Sequence, residues 1–171
     1  MSEHVKALRA KLRTEMPVTQ RLGIRVVGRR DGQLVLSAPL AANTNHKGTA
    51  FAGSLNAVAT LAGWATVWLL LRDHGLQAHA VIQDSTVRYL RPVTGDFEAL
   101  ARPLDAAAVA RLLEAIRRRG RGRIEIEVVV SDARGAAVAF QGRYVALADG
   151  ARVASRRALP SIRVRHPLGR A

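Results

Sequence analysis

From Ala57 to Leu71 the sequence carries no charged residue, and this run limits what the chain can become. It is shorter than the ~20 apolar residues a bilayer-spanning helix needs. Gly48 and Gly53 stand before it and Arg72-Asp73-His74 closes it. It therefore predicts a buried helix from Ala52 to Leu71 and no membrane span. Its apolar residues fall on every face rather than in one stripe, so neighbouring elements must cover it on most sides. Ala52, Gly53, Ala57, Ala59, Ala62, Gly63 and Ala65 keep it slender and let another backbone approach closely.

The flanking sequence supplies the cover. Residues 1–16 read as a short amphipathic helix with Val5, Leu8 and Leu12 on one face. Strands are predicted near 22–29 and 33–39, turned at Asp31-Gly32, a strong hairpin signal. After Gly75 come strands at about 80–91 and 95–103. A second helix follows, capped by Asp105, striped by Leu112, Leu113 and Ile116, and ended by Gly120. "RIEIEVVVS" and "AAVAFQGRYVAL", joined through Asp132 to Gly135, complete the strands near Leu147. The order predicts an α+β domain over residues 1–149, a curved, largely antiparallel sheet wrapped around one apolar helix. Residues 150–171 are set apart as a basic, flexible tail.

Composition narrows the function. There is no cysteine, hence no disulfide framework, thiolate metal site or cysteine nucleophile, and a reducing cytoplasm fits. The N-terminus has no apolar stretch of the secretory kind. The net charge of +14 invites a nucleic-acid partner, but six arginines in the acid-free last twenty-one residues account for much of it. Aromatic residues are 4%, poor material for base stacking, and nucleic acid is the weaker expectation. Gly48 and Gly53 have the spacing of a phosphate loop, but Ser54-Leu55 stands where Lys-Ser/Thr is required. Ser54 also lacks the frame of a nucleophile elbow. His74, His79 and Asp84 have no metal-ligand spacing, and no metal is predicted.

The arrangement resembles the hotdog fold. "NTNHKGTAFAGSLNAVATLAGW" followed by "VIQDSTVRYLRPVTGDFEA" is similar to the thioesterase domain at the C-terminus of the bacterial YiiD-type proteins. More distantly it is similar to the phenylacetate-pathway acyl-CoA thioesterases, whose central helix opens with N-x-x-G, then a bulky residue, a small residue and Gly. Asn45, Gly48, Phe51, Ala52 and Gly53 match that pattern, and "YLRPVTGD" matches their Y-L-x-P-x-x-G strand end. The resemblance covers residues 17–147. It implies a thioesterase that hydrolyses an acyl-CoA or acyl-carrier-protein thioester to free acid and thiol. It also implies a homodimer or homotetramer and no cofactor, coenzyme A being part of the substrate. The rival readings are a silent hotdog that binds acyl-CoA, and a nucleic-acid binder using the tail and the arginine run.

A helix N-terminus presents unpaired N–H groups and partial positive charge, and glycine leaves them uncovered. Such donors stabilise an oxyanion by about 3–4 kcal/mol each in acyl-transfer sites. Gly53 is therefore expected to lead an oxyanion hole, with His46, Lys47, Gly48, Thr49 and Phe51 about the substrate. The alternative for the glycines is tight turning and close packing alone. In the phenylacetate-type relatives a carboxylate two turns into the helix handles water, and Thr60 occupies that place here. The predicted helix holds no Asp, Glu or His. Asp84, helped by Asn45, is the expected substitute. Strand alternation puts Val81, Gln83, Ser85, Val87 and Tyr89 on one face and Asp84, Thr86 and Arg88 on the other. In the family this strand meets its twin across a dimer axis, so Asp84 either serves the neighbouring site or is a surface carboxylate near Arg88 or Arg91. Asn45 is alternatively a turn or cap residue, and His46 a solvated loop histidine. Arg119 and Arg121, in the run Arg117–Arg123, either meet the phosphates of coenzyme A or answer the helix dipole.

Overall fold

The structure, a computed structural model, describes residues 2–149. The tail expected over 150–171 lies outside the described residues. Helix α1 (Glu3–Glu15) buries Val5, Leu8 and Leu12, the predicted face. It does not run on as one rod, because Pro17 bars its continuation and opens a separate short α2 (Pro17–Arg21). The buried Thr19 hydroxyl pins the corner, donating to the carbonyls of Leu12 (3.1 Å) and Met16 (2.8 Å).

Strands β1 (Arg25–Arg30) and β2 (Gln33–Ala38) form the predicted hairpin, with Asp31 (φ 51°) and Gly32 (φ 79°) both left-handed. Those values match the twist of the flanking strands. After a 3₁₀ turn (Ala41–Asn43) comes α3 (Ala52–Asp73), longer than predicted because Arg72 and Asp73 continue it. Arg72 lies over the Trp68 ring, 5.3 Å from its centre, and Asp73 is held by Arg29 and by His4 Nδ1 at 2.7 Å. Length therefore does not exclude a membrane span: α3 has 22 residues and a mean hydropathy of 1.5 in its most apolar window. Burial decides instead, since 67% of that window is enclosed within the protein.

Strands β3 (Ala78–Tyr89), β4 (Phe97–Ala101), β5 (Arg121–Asp132) and β6 (Gly135–Ala148) complete one sheet, and α4 (Ala106–Arg119) precedes β5. The strand order is β1-β2-β4-β5-β6-β3, every pair antiparallel. Its inner face closes around α3, which touches β2 through β6 and α1. Helix α4 begins as predicted, with the Asp105 carboxylate accepting from the amides of Ala107 and Ala108, and ends at left-handed Gly120.

The two sheet edges, β1 and β3, leave the side of α3 between them less covered. Here the predicted alternation fails in part. Gln83 is an extra residue in β3, bulged between the pairs Ile82–Tyr144 and Asp84–Arg143. A bulge reverses the side-chain phase, so Ala78, Ala80 and Ile82 point inward before it and Ser85, Val87 and Tyr89 after it. Val81 is thus placed on the outer face, opposite to the expectation.

Candidate active site at the leading end of the central helix

The loop before α3 is built around Asn45. Its side-chain oxygen accepts from the amides of Lys47 (2.8 Å) and Thr49 (3.2 Å), and its Nδ2 donates to Thr49 Oγ1 (2.9 Å). Its backbone amide donates to the Thr49 carbonyl (2.8 Å) and its carbonyl accepts from Gly48 (3.1 Å). Left-handed Gly48, φ 73°, makes the reversal. Asn45 is therefore a loop builder whose polar atoms are occupied, the turn alternative the sequence allowed. The Thr49 hydroxyl is engaged likewise, while His46 and Lys47 are exposed at the loop tip.

Two backbone bonds dock this loop: Ala50 N to Val93 O (2.9 Å) and Phe51 N to Asn43 O (2.7 Å). Asn43, 2% exposed, fixes the seat by donating to the carbonyls of Leu22 (2.9 Å) and Pro39 (2.7 Å). Behind Val93, Arg91 grips Asp132 with two bonds of 2.6 and 3.1 Å, and the Asp132 side chain is only 2% exposed. Asp132 also accepts from the amides of Thr94 and Arg134. The Arg91 bonds hold the Asp132 carboxyl well below the usual carboxylate range despite the cost of burial. Arg91 is thus committed to Asp132 and is no partner for Asp84.

The N-cap of α3 is Phe51, which has no group to cap with. Leu55 N bonds back to Phe51 O at 3.1 Å, but among the described residues the amides of Ala52, Gly53 and Ser54 receive no partner. Ala52 and Gly53 are exposed. A Cβ on Gly53 would lie 2.3 Å from the Phe51 ring, so the glycine lets that ring rest on the helix. Tyr89, at the end of β3, donates to the Ala52 carbonyl at 3.1 Å and ties the strand to this first turn.

From Gly53 a stripe of partly covered residues descends α3: Asn56, Ala57, Thr60, Leu61 and Trp64. With ~100° per residue, Gly53, Ala57, Thr60 and Trp64 fall within about 60° of one another around the axis. The stripe runs into an apolar cavity of about 320 Å³ whose walls include Ala57, Thr60, Leu61, Trp64, Val18 and Ile82. Trp64 is fixed there by a 3.0 Å bond from its indole N–H to the Ala80 carbonyl. Thr60 is fixed from behind: Tyr144, wholly buried, donates to its carbonyl at 2.7 Å. Burial pushes the Tyr144 hydroxyl's pKa far up, so it stays a donor. The Asn56 side-chain oxygen is buried and has no hydrogen-bond partner among the described residues, a state costing about 1–3 kcal/mol. Sequence reasoning passed over Asn56, although it is the lone amide side chain in an otherwise uncharged helix, three residues after Gly53.

The other predicted groups lie elsewhere. Asp84 is on the outer face of the sheet, its side chain 55% exposed and bonded to Arg143 at 3.1 Å. Arg143 in turn holds Glu125 at 3.0 Å. Within one protomer Asp84 is thus a surface carboxylate, with Arg143 as its partner in place of Arg88 or Arg91, because strand register sets Arg143 directly opposite. Arg88 shares that outer face. Arg119 closes α4 and Arg121 opens β5, the latter about 36 Å along the strand from Asp132, at the end of β5 away from the helix mouth of the same protomer. A second cavity, of about 280 Å³, lies at the far end of α3 beside Arg29 and Asp73, remote from the free amides. Among the described residues no three His, Asp or Glu side chains gather as a metal site would require.

The comparisons with known proteins agree with this fold. A family profile described as "Putative thioesterase (yiiD_Cterm)" matches residues 5–148. A putative thioesterase from Shewanella oneidensis superposes with a TM-score of 0.78 at 32% identity, covering 86% of this chain and 99% of that one. A Pseudomonas aeruginosa protein of unknown function, termed a probable thioesterase, gives 0.70 at 28% identity, covering 84% and 95%. The Escherichia coli PaaI protein from the phenylacetic acid degradation operon gives 0.58 at 18% identity over 88% and 96%, a likeness of fold alone. The sheet wrapped about α3 is thus the hotdog fold, and the chain belongs to the YiiD C-terminal thioesterase family.

Proposed function

We propose that the chain hydrolyses an acyl thioester at the leading end of α3. The observation that carries this reading is the uncapped first turn, with the free amides of exposed Ala52 and Gly53 at the head of a partly covered stripe of α3 that runs into an apolar cavity. The thioester carbonyl accepts from the Gly53 N–H, and the positive end of the helix dipole favours the charge that grows on its oxygen. Water attacks the carbonyl carbon, the C–S bond breaks, and the thiolate leaves with a proton originating from that water. Asn56, with its unpaired oxygen, and the Thr60 hydroxyl hold the water. Asn45 shapes the loop, and Asp84 belongs to the ion-paired sheet surface. The substrate is an acyl-CoA or an acyl-carrier-protein thioester, and the setting is the reducing cytoplasm.

The protein acts as a homo-oligomer whose basic unit is a dimer through the β3 edge. That edge has no strand partner among the described residues, and it exposes Val81 (46%), Ile82 (37%), Tyr89 (49%) and Leu90 (52%). Such an edge needs covering.

Free-thiol release from acyl-CoAs tests the reading on wild type, Asn56→Ala, Thr60→Ala and Asp84→Ala. Wild type is expected to turn over, Asn56→Ala and Thr60→Ala to fall at least tenfold in kcat, and Asp84→Ala to stay near wild type. A second reading, an acyl-CoA binder without turnover, is favoured by the lack of a carboxylate on α3 before Asp73. It is identified by ligand-dependent thermal stabilisation without thiol release.

A further inference from the structure

Resting on that thioesterase reading, we infer that the cavity beside α3 is an acyl-chain pocket for unbranched chains of medium length, with Trp64 as its floor. Gly53 and Trp64 point to the same side of α3, and the ~1.5 Å rise per residue sets them about 16 Å apart along it. Between them Ala57 and Thr60 are small, so no bulky side chain of this stripe stands between Gly53 and Trp64, and the Phe51 ring against Gly53 flanks the entrance. The Trp64 ring, bonded to the Ala80 carbonyl, stands across the path. Allowing ~3.5 Å for the ring leaves about 12 Å, and an extended chain advances ~1.3 Å per carbon, which gives about nine or ten carbons, within the C8–C12 range.

The wall chemistry agrees. Leu61, Val18 and Ile82 are aliphatic, the Tyr144 hydroxyl is turned away to the Thr60 carbonyl, and the Trp64 N–H is spent on Ala80. No hydrogen-bonding group but the Thr60 and Thr19 hydroxyls remains on the wall, and the Thr19 hydroxyl is already bonded to Leu12 and Met16. A hydroxylated or charged acyl group finds no partner beyond the Thr60 hydroxyl, whereas each methylene added to a plain chain improves binding by up to about fourfold.

The test is thiol release from a C2–C16 series of acyl-CoAs, alongside binding of free decanoate read by quenching of tryptophan fluorescence. In wild type kcat/KM should climb at least a hundredfold from C4 to C8–C12 and fall by C16, and decanoate should quench. Ala57→Phe should cut the decanoyl-to-butyryl ratio of kcat/KM at least tenfold. Trp64→Leu should move the optimum to longer chains. Val18→Asp, at a position 60% exposed and so safe for folding, should weaken decanoate binding at least fivefold. A flat chain-length profile, or failure of decanoate to bind because a second copy fills the groove, overturns the pocket. So does a decanoate affinity untouched by Val18→Asp. If no acyl-CoA releases thiol, the thioesterase reading fails, and decanoate binding with its Val18→Asp control still decides the pocket.

Discussion

Gly63 sits inside the most enclosed part of α3, and adding one methyl group there measures how tightly the sheet grips the helix. A Cβ at Gly63 would lie 2.3 Å from the Tyr144 hydroxyl oxygen, 2.7 Å from Cζ and 2.8 Å from Cε2. Tyr144 is 0% exposed and cannot swing out to water. Replacing glycine by alanine within a helix gains about 0.5–1 kcal/mol of backbone propensity. Against this stand about 1–3 kcal/mol for overpacking, and about 1–3 kcal/mol if the buried hydroxyl loses the Thr60 carbonyl. The balance is a loss of about 3 kcal/mol, which for a domain of this size lowers Tm by roughly 6–12 °C. Calorimetry or denaturant titration of Gly63→Ala reads it directly. Tyr144→Phe removes only the nearest atom, so the double variant should be less destabilised than the sum of the two singles by 1 kcal/mol or more. A Gly63→Ala protein as stable as wild type, or strictly additive with Tyr144→Phe, refutes the packing of Tyr144 against α3.

Two other predictions use the same measurements. Gly53→Ala makes the same chemical change at an exposed turn, where only the exposed Phe51 ring must move; Tm should stay within about 2 °C while kcat/KM falls at least tenfold, because methyl and ring crowd the carbonyl's seat. Asp132→Asn should cost about 2–3 kcal/mol by weakening the bonds to Arg91 and the amides of Thr94 and Arg134. Since the folded Asp132 has a depressed pKa, its contribution is fully present above the ordinary carboxylate range. It is lost as pH falls below ~4 towards the folded value, so wild type should lose stability there more steeply than the variant, and parallel acid unfolding curves would contradict this.

What the sequence revealed and what it hid divide along the range of the interactions. The charge-free helix, the Asp31-Gly32 hairpin and the Asp105 and Gly120 caps depend on residues within a few positions of one another, and each formed where the pattern set it. The sheet wrapped on α3 followed because a helix apolar on every side must be covered and most of the flanking sequence reads as strands. The helix mouth was legible through Asn45, Gly48 and Gly53, but the part Asn45 plays was not, since its partners are loop amides rather than a substrate. The partner of Asp84 was not legible because it is decided by register with β6, fifty-nine residues away in sequence, where Arg143 waits. The pair Arg91–Asp132, the Tyr144–Thr60 bond and the orphan oxygen of Asn56 are likewise products of tertiary placement, for which a single chain of letters holds no local sign.

The extra residue at Gln83 also governs how β3 can be extended by another chain. A strand of 12 residues with an unbroken rim would offer an incoming partner several equivalent alignments. The kink divides this rim into Ala78–Ile82 and Asp84–Tyr89, and each half exposes its unpaired amides in a different direction. For the dimer proposed through this edge, a second strand would lie flush against only one half at a time, so the interruption would work as a locating notch that sets the offset between the two copies, and with it the distance between their two helix mouths.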